Sequence, residues 1–561
     1  MSGVDALREA RPVHPPLRSG RFGSAATRSR VERPRDFRLP LWVALVVAAC
    51  AGPILNAAFP NHDIWPLAFL GVGLYLVSVL GRSIGGAILV GYVGGASFLV
   101  VHIDWISTYL GPVPWIALTL FEALFFSAGA VALTLAYRWV PRVWPGVWGR
   151  LVLLPVVVSG LWVAREYASG HWPYGGFSWG RVAESQSTGP LASLVAWVGI
   201  SGLSFLMVGL VALVIELVRY QPVVGSWRFL IGATAIVAVF AVPAWPAQSA
   251  GTATIAAAQG NGKAGFFQQR SYGDLTDAQV NATYNGVQPS AKIDMLVWPE
   301  GASDRDPTRD VYGQYIFNVL TKAYKAPLVS GVITQKGSKL YNSSIVWSGG
   351  KVTGQYDKKH LVPFGEYVPN RSFFRMLAPS LVDLLTRDLT PGTRGNVLDV
   401  GRIKAGISIC FDIVDDALTT QMVQGGAQVI LAQTNNADFG RSNENAQQLA
   451  IARLRAIESS RPLVNISTVG SSAIIAADGS TVQTIPAYEP GVLLHTITLG
   501  KGITPAIAAS AAMEGFVMLF GLATLVLARL LLVGTGYGEA AKAKRVSRRA
   551  RRRARRLARA A

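Results

Sequence analysis

Apolar residues fall along this chain in two regimes. Over 40–249 and again over 503–536 they come in long blocks, whereas over 250–502 they come in short runs broken by polar residues. A membrane-spanning helix needs roughly 20 consecutive apolar residues. Eight blocks approach or exceed that length: 40–59, 65–81, 84–104, 113–137, 150–167, 190–217, 229–247 and 506–534. The region between the seventh and eighth reads as strands alternating with helices. There "TATIAAAQGN" predicts a strand ending at Asn261, and "AKIDMLVWPEG" one running into Glu300. "APLVSGVIT" and "LYNSSIVWSGGKVTGQYDK" predict a strand and a hairpin, "RIKAGISICFD" a strand ending at Cys410, and "AQVILAQTNN" one ending near Asn435. "ENAQQLAIARLRAIESSRP" carries apolar residues at helical spacing, and "PLVNISTVGSSAIIAADGSTVQTI" predicts strands with a Gly turn. Chemistry-capable side chains thus stand at the carboxyl ends of several strands, where α/β sheets place their sites. The expected fold is a polytopic α-helical membrane domain of about eight spans joined to an α/β domain. Its parts are a basic tail (1–39), seven spans (40–249), the α/β domain (250–502), an eighth span (503–536) and a second basic tail (537–561).

Charge changes the picture only at the ends. Hydrophobic residues make up 51% of the chain and charged residues 15%, which excludes a disordered protein and is too apolar for an ordinary soluble one. Residues 1–40 hold nine Arg against four acids, and 541–561 hold eleven Lys/Arg and no acid, so the ends supply sixteen of the net +20 charges. Such tails suit nucleic acid, but basic residues beside membrane spans mark the cytoplasmic side, so nucleic acid is not an expected partner. Arg82, then Arg138, Arg142 and Arg150, then Arg219 and Arg228 occupy alternate loops, while the first two intervening loops hold none and the third holds Arg181 with Arg165 at its border. Eight spans then put both termini in the cytoplasm and residues 250–502 outside it.

Only two cysteines occur, Cys50 inside an apolar block and Cys410 at the end of "AGISIC". Cys410 has no partner in a compartment that oxidises paired thiols; it is either a small core residue or a thiol that must stay free. A reactive thiolate needs a base or cation nearby. Glu300 ends an apolar strand in "LVWPEGA", where desolvation would fit a carboxylate for base work, and Lys358 lies in the loop "YDKKHLVPFGEYVP". Each alone also reads as an ordinary surface group. The α/β region has two histidines, His360 and His495, and no clustered ligand spacing, so no metal or other cofactor is expected. A P-loop, a dinucleotide fingerprint and a G-x-S-x-G elbow are likewise missing from the sequence.

Taken together, "WPEGA" (298–302), "YDKKHLVPFGEYVP" (356–369) and "GISICFD" (406–412) resemble the carbon–nitrogen hydrolase (nitrilase) superfamily. With seven apolar blocks before them and one after, and with "GGFSWGRVAESQ" (175–186), they resemble its apolipoprotein N-acyltransferase family across about 40 to 534. That resemblance implies an α-β-β-α sandwich with a Glu-Lys-Cys triad. By position Glu300 matches the base, Lys358 rather than Lys359 the lysine, and Cys410 the nucleophile. Glu366 matches a further carboxylate, and Asp412 an acid that is commonly Glu. Phe411 stands where Tyr is frequent, and "TNNADFG" (434–440) puts Asn436 in place of an acid and Asp438 in place of Trp, next to Asn435; altered pocket walls are expected there. His360 is given a positioning role.

The resemblance also implies the reaction. An acyl chain passes from a phospholipid to the N-terminal amine of a diacylglyceryl-cysteine on an apolipoprotein, through a thioester on Cys410 and with no cofactor. It implies a multi-pass protein of the bacterial inner membrane in which a monomer suffices. Some relatives carry a fused polyprenol-phosphate mannose synthase that this chain lacks, so a separate partner of that kind is conceivable, docked on the C-terminal tail. Phe373 and Phe374 in "NRSFFRMLAPSLVDLL" are expected to belong to a mobile apolar arm that gates lipid access, rather than to an ordinary core helix. Trp172, Tyr174, Phe177 and Trp179 make an interfacial belt or line the cavity, and Glu122 is either functional or paired across helices. Two other classes stand against the acyltransferase: a membrane-anchored amidase or nitrilase using the same triad on water, and a transporter or scaffold with an inactive hydrolase domain. Eight spans argue against the first and the intact triad against the second.

Overall fold

The computed structural model describes residues 38–220 and 227–534. The two basic tails fall outside those residues, apart from Arg38 and Leu39. A helix stands in every apolar block: α1 (Leu41–Asn56), α2 (Leu67–Val79), α3 (Ile84–His102), the short α4 (Ile106–Leu110), α5 (Pro112–Val143), α6 (Leu154–His171, entered through a π turn at Gly149–Leu153), α7 (Val195–Arg219) and α8 (Trp227–Phe240). Among the described residues, five segments are long and apolar enough to cross a membrane: Ile84–His102, Pro112–Val143, Gly149–His171, Ala192–Arg219 and Pro505–Gly534. The other three blocks yield shorter helices. At about 1.5 Å per residue, α1 and α2 reach roughly 24 and 20 Å, against a hydrocarbon core of about 30 Å. Pro66 starts α2, and Gly81 at φ 67° turns the chain soon after it, which is why that block is helical over only 13 residues. Glu122 accepts a hydrogen bond from Ser169 Oγ at 2.8 Å, so it is paired across α5 and α6.

The α/β region begins with β1 (Gln248–Gln259), α9 (Asp274–Gly286), β2 (Met295–Val297), α10 (Val311–Tyr324), β3 (Leu328–Lys336), β4 (Lys339–Ser348) and β5 (Lys351–Asp357). Two short helices follow, α11 (Arg371–Leu377) and α12 (Pro379–Val382). Then come β6 (Val397–Val400), β7 (Ile403–Ile409), α13 (Asp416–Gln424), β8 (Val429–Thr434), α14 (Glu444–Ser459), β9 (Leu463–Ser467), β10 (Ser472–Ile475), β11 (Thr481–Ile485) and β12 (Gly491–Lys501). The last helix is α15 (Pro505–Gly534). Strands form two six-stranded sheets, β12-β1-β2-β3-β4-β5 and β11-β10-β9-β8-β7-β6. The strand predicted to run into Glu300 pairs over only three residues, because Pro299 has no N–H to continue the ladder.

Packing explains the apolar runs. Ile255 and Ala257 point between the sheets, while Ala256 and Ala258 point outward under α9 and α10. In the second sheet Val429 and Leu431 face inward, and Ile430 and Ala432 join a core shared with α14 and the membrane-type helices. Strands buried on both faces read as almost continuous hydrophobic segments. The arrangement is the expected α-β-β-α sandwich, with α13 and α14 between the second sheet and the helical part.

That helical part meets the sandwich at one end only. Asn61 donates to Asn443 Oδ1 at 2.6 Å, and Trp105 and Trp179 donate to Gln447 Oε1 at 3.1 and 2.7 Å. Arg181 grips Asp416 with two bonds of 2.9 and 3.0 Å. Arg82, Arg138, Arg150 and Arg219 gather at the other end: Arg82 donates to the Leu39 carbonyl, Arg138 to the Arg82 carbonyl, and Arg150 and Arg219 pair with Glu216.

Candidate active site

Three strand ends converge. Glu300 follows β2, Lys358 follows β5 and Cys410 follows β7. Cys410 sits at φ 50°, a left-handed conformation that a non-glycine residue holds only when its surroundings impose it. That kink turns the chain from strand into the 3-10 turn Cys410–Val414. Asp412 fixes the kink from below: fully buried, it accepts from the Ile409 and His360 backbone N–H groups at 3.2 and 2.9 Å and from the Tyr356 hydroxyl at 2.8 Å.

Lys358 is 1% exposed and stands between two carboxylates. Its Nζ lies 3.4 Å from Glu300 Oε1 and 2.8 Å from Glu366 Oε2. Asn342, on β4, donates one amide to both acids, at 2.7 Å to Glu300 Oε1 and 3.0 Å to Glu366 Oε1. Glu366 also accepts the Val362 N–H at 2.8 Å, which ties the loop to the triad. Burial pulls the Lys358 ammonium down, but Glu300 and Glu366 outweigh it and hold the pKa well above the usual lysine value. Burial lifts the Glu300 carboxyl above the usual carboxylate range, against Lys358, which lowers it. Burial, reinforced by Glu300, likewise pushes the Cys410 thiol well up, against Lys358. The site therefore favours a neutral thiol beside a fixed cation and a carboxyl whose proton affinity is raised.

Phe411 packs nearly parallel to Phe177 and Trp179, with centroids 6.3 and 6.4 Å away, and His360 meets its edge. His360 Nδ1 lies 2.8 Å from Asp415 Oδ2, a contact that raises its pKa. Asn435 donates to the Ala264 carbonyl at 3.1 Å and accepts from Thr468 Oγ1 at 2.6 Å, pinning the loop after β1. Asn436 is buried in a hydrogen-bonded cluster rather than set in a pocket wall, while Asp438 accepts the Phe266 N–H at 2.6 Å. The 172–179 loop divides its aromatic rings. Trp172 lies by Phe121 and Phe125 on α5, Tyr174 touches Phe374 and accepts from Asn370, and Phe177 and Trp179 cover Phe411. In the arm, Phe374 packs edge-on to Phe364, 4.9 Å away, while Phe373, Met376 and Leu377 are exposed. Sequence reasoning missed Asn342, Glu444 and Gln448. Asn342 lies in an alternating strand where nothing marks it as different from Ser343 or Ser344, and the other two read as the polar face of an amphipathic helix.

Two family descriptions match the chain: the apolipoprotein N-acyltransferase N-terminal domain over residues 51–214 and carbon-nitrogen hydrolase over 288–503. An apolipoprotein N-acyltransferase of Mycolicibacterium smegmatis is 31% identical over 525 residues, covering 87% of this chain and 85% of the relative. One of Geobacter metallireducens is 27% identical over 502 residues, covering 83% and 93%. Among solved structures, a carbon-nitrogen hydrolase from Helicobacter pylori superposes with a TM-score of 0.34 at 15% identity, over 47% of this chain and 92% of that one. That score is too low to support the fold by itself.

Proposed function

The chain belongs to the apolipoprotein N-acyltransferase family, and from that premise we propose how its residues carry the reaction. The enzyme moves an acyl chain from a phospholipid to the N-terminal amine of a lipoprotein at the inner membrane. Glu300 takes the Cys410 proton, and the thiolate attacks the ester carbonyl carbon of the phospholipid. Lys358 and the Phe411 backbone N–H face the oxyanion, as preorganised charge and dipole at the atom where negative charge develops. Collapse breaks the ester C–O bond; the lysophospholipid leaves with the proton from Glu300, and a thioester remains on Sγ. The neutral α-amine of the diacylglyceryl-cysteine then attacks that thioester, Glu300 takes its proton, the C–S bond breaks, the expelled Cys410 thiolate recovers the proton from Glu300, and the amide is released. Two substrates sharing one covalent intermediate give ping-pong kinetics.

The observation that carries this reading is the convergence of Glu300, Lys358 and Cys410 from three strands, with Lys358 in contact with Glu300 and Glu366. Intact mass spectrometry of the enzyme with phospholipid tests it, beside Cys410→Ser and Glu300→Ala. An acyl mass on Cys410, discharged by a diacylated lipopeptide and stable to water, is expected. Rapid discharge by water would instead mark a hydrolase, and no adduct in active membranes would remove Cys410 from the mechanism.

The helices support an eight-pass reading in which α1, α2 and α8 cross with α3, α5, α6, α7 and α15. The basic cluster at the end remote from the sandwich supports a cytoplasmic location for that end and both termini, with residues 250–502 outside. A separate polyprenol-phosphate mannose synthase rests on the charge of the C-terminal tail alone; truncation near 538 that leaves activity and associations intact would remove it.

A further inference from the structure

Beside Cys410 runs a buried polar chain that the mechanism above does not use. It begins at a backbone donor: the Gly470 N–H donates to Ser467 Oγ at 2.8 Å. The Ser467 hydroxyl proton is then directed to Asn436 Oδ1, 2.6 Å away, which also accepts from Thr434 Oγ1 at 2.9 Å. With its carbonyl so fixed, Asn436 turns its amide outward and donates to Gln448 Oε1 at 2.9 Å and to Glu444 Oε2 at 2.8 Å. Gln448 is thereby oriented with its own amide towards Cys410, and Nε2 lies 3.7 Å from Sγ. Glu444 and Gln448 are four residues apart on α14 and so share a face. All of Asn436, Glu444 and Gln448 are buried.

We propose that Gln448 is a fourth catalytic residue, an amide donor that stabilises the Cys410 thiolate, and that Asn436 is the positioning residue that aims it. This rests on the reading of Cys410 as the nucleophile. The titratable groups facing Sγ are Glu300 after β2, Lys358 after β5, Glu366 in the loop beyond it and Glu444 on α14. Three of the four are carboxyls, and the one cation is already shared between Glu300 and Glu366. A thiolate forming among them gains from a neutral donor that brings no further charge. The bond strengthens when the sulfur becomes anionic, so it favours both thiolate formation and expulsion of the thiolate when the amine displaces it. Burial lifts the Glu444 carboxyl to about 8, so it is largely neutral at pH 7 and adds little repulsion.

The test is the pH dependence of Cys410 alkylation in the full-length enzyme in detergent, in which the thiolate displaces iodide from iodoacetamide. Gln448→Met keeps the length and removes the donor; Gln448→Asn keeps the amide but shortens its reach, and serves if the first variant does not fold. In either variant the alkylation midpoint is expected to rise by about one pH unit, a tenfold loss of thiolate at a given pH. Acylation by phospholipid slows about tenfold with KM unchanged. A midpoint identical to that of the unsubstituted enzyme in a folded variant overturns the proposal while leaving Cys410 in place. Failure of the wild type to label at Cys410, judged against Cys410→Ser, overturns the underlying reading instead.

Discussion

In the proposed mechanism Glu300 must be ionised to take a proton from Cys410, and burial lifts its carboxyl above the ordinary range. Activity therefore falls as pH drops through that raised pKa, and the acid limb of kcat/KM lies above the usual carboxylate value rather than at it. Asn342 donates to Glu300 and holds the pKa down. In Asn342→Leu the acid limb moves to still higher pH, by about one unit for the loss of a hydrogen bond to a charged group; a pH–rate profile reads it. Glu300→Gln keeps the shape but cannot accept the proton, and single-turnover acylation drops by roughly 10²–10⁴-fold. Neither Asn342 nor the depth of Glu300 can be read from one-dimensional spacing, since both depend on β4 lying beside β5 and on the second sheet covering the first.

At the scale of elements, the segment 370–385 is expected from its sequence to form an apolar arm rather than a core helix. It became two short helices, α11 and α12, that bury Val382 and Leu385 with Val368 in a small cluster of their own and leave Phe373, Met376 and Leu377 exposed. Arg371 with Asp388 and Arg375 with Asp383 hold the fold of the arm. Each exposed apolar side chain gains roughly 1.5–3 kcal/mol on full burial, which suits contact with acyl chains. Met376→Asp combined with Leu377→Asp is expected to slow acylation from phospholipid vesicles more than tenfold. Iodoacetamide labelling of Cys410 should be unchanged, and a parallel loss of labelling would show instead that the arm supports the triad. The helical blocks were legible from run length, yet their ends were not. α1 and α2 stop early at turns, and α6 and α15 approach so closely at Gly160 that an added Cβ would lie 2.3 Å from the Val517 carbonyl oxygen.

For the whole molecule, the join between helices and sandwich rests on two buried guanidinium groups and a half-buried carboxylate. Asp416 accepts from Arg181, which comes from the loop before α7, and from Arg455 of α14, which also pairs with Glu458. Burial pushes the Asp416 carboxyl up, but the two guanidinium groups pull it below the usual range. Its contribution is therefore present at neutral pH and lost only in strong acid, as pH falls through the depressed pKa. Removing Asp416 leaves Arg181 and Arg455 buried and unbalanced; because the Asp416 side chain is 34% exposed, the cost falls below the roughly 3–5 kcal/mol of a fully buried pair. Arg181→Met and Asp416→Asn are each expected to lower the apparent melting temperature of the purified enzyme. The double variant should lose less than the two effects added, because the groups share one network; strict additivity would mean that the bridge contributes nothing. The same loop lays Phe177 and Trp179 on Phe411, so loosening it should also slow acylation.

The sequence by itself determined the two regimes of the chain, the alternation of strands and helices over 250–502, and the identity of Glu300, Lys358 and Cys410 as candidates. Run length and two-residue or helical periodicity are local properties, and a motif carries its residues in order. Only the tertiary structure decided what surrounds them. It brought Asn342 to two acids and put Gln448 beside the sulfur. It tied Asn435 to the loop after β1, paired Glu122 across helices, and divided the aromatic rings of one loop between α5, the arm and Phe411. These are contacts between residues tens or hundreds of positions apart. They follow from which faces pack together, a quantity no single segment encodes.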